Sequence, residues 1–345
     1  MISKDQIHTM LLLRTRENNF LSNLPMELIV ELPNSNIAKA LHHAAYARRE
    51  DVATLIDMLE TNPRLLLLAG NVQTPGGDEV RRVTLYEFLL GAGDDELAGI
   101  VQSYFAKIAN GEQEMIRQYE RYRPHIEGML TQKPYDLLPL IELIKKATPE
   151  QVKALLNKDM SGEDDLCKAF IQFRKDWAPK VLTKPCMHYN YASLQHAFEL
   201  LDREWDNLYK ASNDNFDKIN LVWRQLIGFE MRRLPGIDRC VMAQGLYYVI
   251  EEKAAVARTY TFNNGGVAGS AYPVTVVDDS IDGLGGDFAV GIGGGSAGPA
   301  WLGCGRGRAT RALWEAHVEQ KLQTCRTYAT RPNSSVELVC NNLSC

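Results

Sequence analysis

The sequence lacks three features that would place it in a common class of protein. It has no uninterrupted stretch of about 18 apolar residues, so no segment is expected to cross a membrane. It has no excess of positive charge, since 38 Lys and Arg stand against 43 Asp and Glu, and the formal net charge of -5 argues against general binding of nucleic acid. It also has no paired cysteine spacing, because its seven cysteines are spread along residues 167–345.

The cysteines and the N-terminus both favour the cytoplasm. An odd number of cysteines without paired spacing is typical of a reducing compartment, not of a disulfide framework. The apolar run at residues 10–13 is followed at once by the charged residues Arg14, Arg16 and Glu17, which is unlike a secretory signal peptide. We therefore expect a cytoplasmic protein.

Length and composition indicate a folded chain of more than one part. The 345 residues exceed the size of one ordinary hydrophobic core, which favours two or three domains. An apolar fraction of 45% with 23% charged residues is typical of a globular protein.

A helical motif recurs between residues 38 and 108. Segments 40–59 and 84–101 align with a shift of 44 residues, and each reads as an apolar helix, a polar turn and a second apolar helix. Such a recurrence is typical of stacked helical repeats, so the sequence predicts a mainly α fold. The aligned pairs are Leu41 with Leu85, His42 with Tyr86, Ala45 with Leu89, Asp51 with Asp95, and Ile56 with Ile100.

These two units resemble ankyrin repeats, which have a period of about 33 residues. Leu41-His42 and Thr84-Leu85-Tyr86 correspond to the turn that opens the first helix, and Gly93-Asp94-Asp95-Glu96 to the turn that opens the second. The longer period places an insertion at residues 73–82. The resemblance implies a surface that binds a protein partner and needs no catalytic group. The predicted contacts are the insertion and the residues at the turns, namely His42, Arg48, Tyr86, Asp94 and Asp95.

The sequence predicts that the chain has four parts. Residues 1–36 form capping helices, 37–182 the ankyrin-like repeat domain, 183–258 a second helical domain, and 259–345 a small glycine-rich α+β region with short strands and one helix. Leu24, Pro25 and Leu28 weakly resemble the start of an F-box, which docks on the adaptor subunit of ubiquitin ligases, although residues 33–36 interrupt the pattern. A role as a ubiquitin-ligase adaptor is therefore one alternative, and a helix that caps the first repeat is the other.

The glycine-rich region predicts neither a cofactor nor a metal. Gly293, Gly295 and Gly298 match the dinucleotide-binding spacing, but glycines at 303, 305 and 307 would break the helix that this motif requires. Residues 278–283 match the first half of a calcium loop, but the position of its essential glutamate is taken by Ala289.

An enzyme is the alternative to an interaction module. Its site would lie within residues 186–314 and would use Cys186 and His188, since a thiolate beside a histidine can act as a nucleophile. Arginines at 224, 232, 233 and 239 would be the other candidates, as receivers of a phosphate or an acidic group.

Several segments are similar to a group of ankyrin-like proteins from intracellular bacteria such as Legionella and Coxiella, many of them suspected effectors. They are residues 62–72, residues 84–105, Met187-His188-Tyr189-Asn190-Tyr191, and residues 223–229 with Leu234-Pro235. This resemblance implies a host-cell destination and a eukaryotic protein as partner. It implies no catalytic residue.

Overall fold

Helices make up most of the structure, a computed structural model. It describes residues 35–263 apart from 131, 158, 214–215 and 245, together with 271–273 and with 312–324 apart from 314 and 322. The mainly α prediction is confirmed over this part of the chain. The F-box-like residues Leu24, Pro25 and Leu28 lie outside the described residues, as do the dinucleotide-like glycines and the calcium-loop match.

The elements follow each other in a nearly continuous helical chain, with one β-hairpin near its start. The helices are α1 (Asn36–Tyr46), α2 (Arg49–Thr61), α3 (Leu85–Ala92), α4 (Asp95–Ser103), α5 (Gly111–Leu130), α6 (Leu138–Lys146), α7 (Pro149–Leu156), α8 (Asp165–Asp176), α9 (Tyr191–Ala211), α10 (Asp217–Val222), α11 (Gly228–Met231), α12 (Gly236–Gln244) and α13 (Leu246–Ile250). Residues 315–321 are also helical and are called the C-terminal helical segment below. The strands are β1 (Ala69–Gln73), β2 (Glu79–Thr84), β3 (Val181–Leu182), β4 (Thr261–Asn263) and β5 (Ala271–Pro273).

The recurring motif is a helix pair that occurs twice. The pairs α1–α2 and α3–α4 each have a left-handed residue at the turn, Ala47 with φ 55° and Gly93 with φ 64°. These turns are 46 residues apart, so the second helices are offset by two residues from the sequence alignment. Asp51 is the third residue of α2, whereas Asp95 is the first of α4. The helix pair is thus present, while its membership of the ankyrin family stays a prediction.

The predicted insertion at residues 73–82 is a β-hairpin with a buried tip. Strand β1 pairs antiparallel with β2, and β3 joins the other edge of β2 in parallel. Thr74 and Asp78 in the tip are only 5% and 6% exposed. Asp78 Oδ1 accepts a hydrogen bond of 2.7 Å from the Lys180 amide, and Arg233 donates to the Gly76 carbonyl. The tip therefore packs inside the fold and is not available for contacts with a partner.

One apolar cluster joins the predicted parts of the chain. It extends from Ile37 in α1 to Val318 in the C-terminal helical segment and includes the apolar faces of both helix pairs and of α9. This cluster crosses the boundaries predicted at residues 182 and 258, and the domain boundaries themselves stay predictions. Among the described helices, none is both long enough and apolar enough to cross a lipid bilayer.

Candidate functional site

Two of the residues predicted to bind a partner are accessible at the turn between α1 and α2. His42 is exposed, and its ring lies 4.3 Å from that of Tyr46, centroid to centroid. The Arg48 guanidinium lies 5.3 Å from the centroid of the same tyrosine ring. Arg48 is held in place by a 2.6 Å hydrogen bond from its Nε to Asp51 Oδ2. We call His42, Tyr46 and Arg48 the turn patch.

The electrostatics of the turn patch keep one member neutral and one charged. Partial burial, and then the nearby His43, lower the pKa of His42, so the imidazole is uncharged at neutral pH. The hydrogen bond to Asp51 raises the pKa of Arg48, so its guanidinium keeps its positive charge. The turn patch therefore offers two aromatic rings and one fixed cation to a partner.

Two of the other predicted turn residues, Tyr86 and Asp94, are engaged within the fold. Tyr86 is 2% exposed and packs against Phe105, with ring centroids 5.7 Å apart. Asp94 is also 2% exposed: it accepts the Leu97 amide at the start of α4 and forms two hydrogen bonds, of 2.8 and 2.9 Å, with Arg258. Asp95 is half-buried. Sequence position at a repeat turn did not distinguish these structural roles from a role in binding.

Cys186 and His188 lie close to each other, on a segment that packs against Gly91 in α3. The His188 amide donates to the Gly91 carbonyl at 2.9 Å, and the Cys186 amide donates to the Tyr122 hydroxyl at 3.2 Å. Burial raises the pKa of the Cys186 thiol, with Asp78 adding to the effect, and burial lowers the pKa of His188 to about 3. A cysteine nucleophile needs a lowered thiol pKa and a basic partner. The electrostatics therefore oppose that role.

Two of the four arginine candidates bind backbone carbonyls. Arg239 donates to the carbonyls of Leu234 and Arg232, at 3.1 and 2.5 Å, and Arg233 donates to the Trp177 carbonyl at 2.8 Å. These bonds fix the chain between α11 and α12 against the end of α8. They give Arg233 and Arg239 a structural role that the sequence did not reveal.

Gly91 allows the segment of Cys186 and His188 to approach α3, and its substitution gives a testable contrast. A Cβ at residue 91 would lie 2.2 Å from the Tyr122 hydroxyl and 2.5 Å from His188 Nε2, whereas a Cβ at Gly99 in α4 would have nothing within 4 Å. We expect Gly91→Ala to lower the free energy of unfolding by about 1 to 3 kcal/mol through overpacking. Gly99→Ala is expected to raise it by about 0.5 to 1 kcal/mol because alanine favours the helix. Urea unfolding of both variants measures this, and equal effects would contradict the close approach.

An aromatic cluster lies close to Glu230, a residue that sequence reasoning did not select, since the charge of Glu230 acts on Tyr135 and Tyr189. The rings of Trp177 and Tyr189 lie 6.3 Å apart between centroids, and Phe173 lies 5.7 Å from Phe229. Tyr135 adds a ring at 6.0 Å from that of Trp177. These side chains come from the end of α8, the chain before α9, α11 and the chain before α6. We call Tyr135, Phe173, Trp177, Tyr189, Phe229 and Glu230 the Glu230 cluster.

A π-helical turn at Trp223–Ile227 precedes this cluster and joins α10 to α11. Such turns insert one residue into a helix and are frequent at functional sites. Here the turn lies three residues before Glu230, which is fully buried. An acid between Phe229 and Met231 in an apolar stretch is the sequence signal that could have identified it.

The Glu230 carboxyl has an unusual environment. Burial alone raises its pKa well above the usual 4.5, and neither carboxyl oxygen has a hydrogen-bond partner in the structure as described. Burial raises the pKa of Tyr189 as well, and the charge of Glu230 adds to this effect. Burial therefore favours the protonated form of this isolated carboxyl.

A second buried acid, Asp238, has the opposite environment. Its oxygens lie 2.5 Å from the Tyr191 hydroxyl, 2.8 Å from His317 Nε2 and 3.2 Å from Lys321 Nζ. Burial would raise the pKa of Asp238, but the charge of Lys321 and the bond to His317 outweigh burial and lower it. Asp238 thus ties α9 and α12 to the C-terminal helical segment as a satisfied ionic network.

Over the described ranges, no group of three or more His, Cys, Asp or Glu residues is arranged to hold a metal ion. The chemistry that the Glu230 cluster offers is one carboxyl acceptor, the Tyr189 hydroxyl and the Trp177 indole N–H, all within aromatic surroundings.

Comparison of the chain with protein-family models, with curated proteins and with solved structures finds no match. The ankyrin, effector and F-box resemblances therefore stay predictions. Function has to be argued from the geometry of the residues themselves.

Proposed function

We propose that this chain is a protein-interaction module that binds a partner through the turn patch. The observation that carries the proposal is the exposed His42 ring beside Tyr46 and Arg48, at the turn of a helix pair. Tyrosine and arginine are the residue types that most often dominate binding energy at protein interfaces. A cluster of this kind suits binding better than catalysis.

The turn patch is held in place before any partner binds. Arg48 donates to Asp51, which is only 3% exposed and also accepts a 2.9 Å hydrogen bond from His43 Nδ1. Arg49 is joined to the distant Arg258 through a 2.8 Å backbone hydrogen bond. A side chain that is already fixed loses less conformational entropy on binding, which favours affinity.

The environment of Cys186 and His188 supports a binding function over the enzyme alternative. Their pKa values are shifted away from those of a nucleophile and its base. A eukaryotic host protein as partner and a destination inside a host cell stay predictions that follow from the resemblance.

Affinity capture from eukaryotic cytosol tests the proposal with one patch variant and one matched control. His42→Glu places a charge on the exposed ring position, and we expect it to abolish retention of the partner. Gln113→Glu makes a comparable change at an exposed residue of α5, and retention should be unaffected. Bound proteins are identified by mass spectrometry against the unmodified chain.

The outcomes separate the patch from the rest of the surface. A protein that is retained by the unmodified chain and by Gln113→Glu, but not by His42→Glu, supports the turn patch as the interface. Equal retention by all three forms argues against the patch. No retained protein above background argues against an interaction module of any kind.

A further inference from the structure

The Glu230 cluster contains three polar groups that the fold does not satisfy. Both carboxyl oxygens of Glu230, the Tyr189 hydroxyl and the Trp177 indole nitrogen have no hydrogen-bond partner in the part of the chain that the structure describes. Their residues are 0%, 3% and 9% exposed. Buried polar groups are nearly always paired, because each unpaired one costs about 1 to 3 kcal/mol. A concentration of such groups in one place indicates a partner from outside the chain.

The comparison with other buried acids of this chain makes Glu230 exceptional. Asp51 is bonded to His43 and Arg48, Asp94 to Arg258, and Asp238 to Tyr191 and His317. Each of these acids therefore has a cationic or donor partner within the fold. Within the part of the chain that the structure describes, Glu230 has none, although it is buried as deeply as any of them.

The surroundings of Glu230 favour a positively charged partner. Aromatic ring faces attract cations, more strongly where water is excluded. Phe229 already shows this, since the guanidinium carbons of Arg232 and Arg174 lie 4.5 and 5.5 Å from its centroid. Trp177 and Tyr189 add two further rings to the cluster. Rings and a carboxyl together match an organic cation better than an anion or a neutral sugar.

The cluster also extends toward the protein surface. Tyr135 is half-buried and its hydroxyl donates to Asp176 at 2.9 Å, so this ring forms the outer edge. Trp177, at 9% exposed, has its ring centroid 6.0 Å from that of Tyr135, and Glu230 has no exposure.

We propose that the Glu230 cluster binds a small organic ammonium compound, whose N–H groups donate to the Glu230 carboxylate while its carbon chain packs on Trp177 and Tyr189. The proposal is independent of the turn patch. An ammonium hydrogen-bonded to a carboxylate forms a charge-assisted pair, which is about twice as strong as a neutral one. The Tyr189 hydroxyl and the Trp177 N–H would contact any polar group elsewhere on the ligand.

Binding should also release a proton. Since burial favours the protonated form of the empty carboxyl, Glu230 should lose its proton when the ammonium binds. The apparent binding enthalpy should therefore change with the ionisation enthalpy of the buffer. A cation bound elsewhere, at a surface carboxylate already ionised at pH 7, would release none.

Isothermal titration calorimetry of the full chain at pH 7 tests the proposal, with n-butylammonium as the probe and n-butanol as its neutral counterpart. We expect butylammonium to bind with release of a proton and butanol to bind at least tenfold more weakly. Glu230→Gln removes the charge at nearly constant shape and should weaken butylammonium binding at least tenfold, which corresponds to about 1.4 kcal/mol. Glu199→Gln, at a side chain that is 48% exposed, is the matched control and should bind like the unmodified chain.

Three results would overturn the proposal. They are the absence of butylammonium binding to the unmodified chain, equal affinity of Glu230→Gln, and equal binding of butanol. Thermal unfolding of both variants confirms that they are folded, so that lost binding is not mistaken for lost structure. Ordered water alone at Glu230 would give the first of these results.

Discussion

Asp94→Asn is expected to lower the free energy of unfolding by about 3 to 5 kcal/mol, because it leaves a buried arginine without its principal anion. Arg258 donates to both oxygens of Asp94 at 2.8 and 2.9 Å, and its side chain is 9% exposed. Asparagine keeps an oxygen that can accept the Leu97 amide, so the helix cap survives and the loss reports on the ion pair. Urea unfolding measures the change.

The matched control is the other acid that contacts Arg258. Glu96 lies 2.9 Å from the Arg258 guanidinium, but its side chain is 62% exposed. Glu96→Gln is therefore expected to cost less than about 1 kcal/mol, since water screens an exposed pair. Similar losses in the two variants would contradict a burial-dependent role for the Asp94 pair.

The same arginine explains how two helix pairs form a stable unit. The Arg258 side chain donates to the Ala47 carbonyl at 3.3 Å, and the Arg258 backbone carbonyl accepts the Arg49 amide at 2.8 Å, both at the first turn. The same side chain binds Asp94 at the second turn. Two repeats alone are too few for stability and require neighbouring elements to cap them. A residue more than 150 positions away supplies this connection for Asp94.

The sequence predicted the two helix pairs, because their helices depend on the spacing of apolar residues within short segments. Helix pairs appear in the sequence because apolar residues recur near the helical period, and Leu41, Leu55 and Leu85 are all fully buried as that pattern requires. The sequence alignment is out of register by two residues at the turns. It matches Asp51 with Asp95, which are 44 residues apart, whereas the left-handed turn residues Ala47 and Gly93 are 46 residues apart.

Long-range contacts account for what sequence reasoning missed. The hairpin tip reads as an exposed insertion because it is polar and rich in glycine, but its partners Lys180 and Arg233 lie 102 and 157 residues away. Asp94 reads as a surface turn residue for the same reason. Glu230 was overlooked because the aromatic rings around it come from four separate segments of the chain.

Glu230→Gln is expected to raise the free energy of unfolding at pH 7 by more than the roughly 0.5 kcal/mol that is usual for a neutral surface substitution. Burial raises the pKa of Glu230 well above 4.5, so the folded protein keeps this proton to a higher pH than the unfolded chain does. Because the folded state binds more protons, the unmodified chain loses stability as the pH rises from the pKa of Glu230 in the unfolded chain toward its pKa in the folded protein. Glutamine does not titrate, so the variant avoids this cost.

The sign of the effect can be checked by its dependence on pH. The advantage of Glu230→Gln should be smaller at pH 5, near the pKa of an unfolded glutamate, than at pH 7, while Glu199→Gln should change stability by less than about 0.5 kcal/mol at both pH values. Urea unfolding at pH 5 and pH 7 provides the measurement. A lower stability of Glu230→Gln at both pH values would show that the carboxyl has a stabilising partner after all.

The stability and binding results for Glu230 bear on each other. Suppose that Glu230 lowers the stability of the free protein and that its replacement abolishes binding of an ammonium compound. Its presence is then explained by binding and not by folding. Butylammonium should then stabilise the unmodified chain against unfolding, since a ligand that binds only the folded state shifts the equilibrium toward it. Glu230→Gln should start from a higher stability and gain little from the same ligand. A higher stability without ligand, together with a smaller gain from the ligand, distinguishes a binding site from a core position that tolerates an acid.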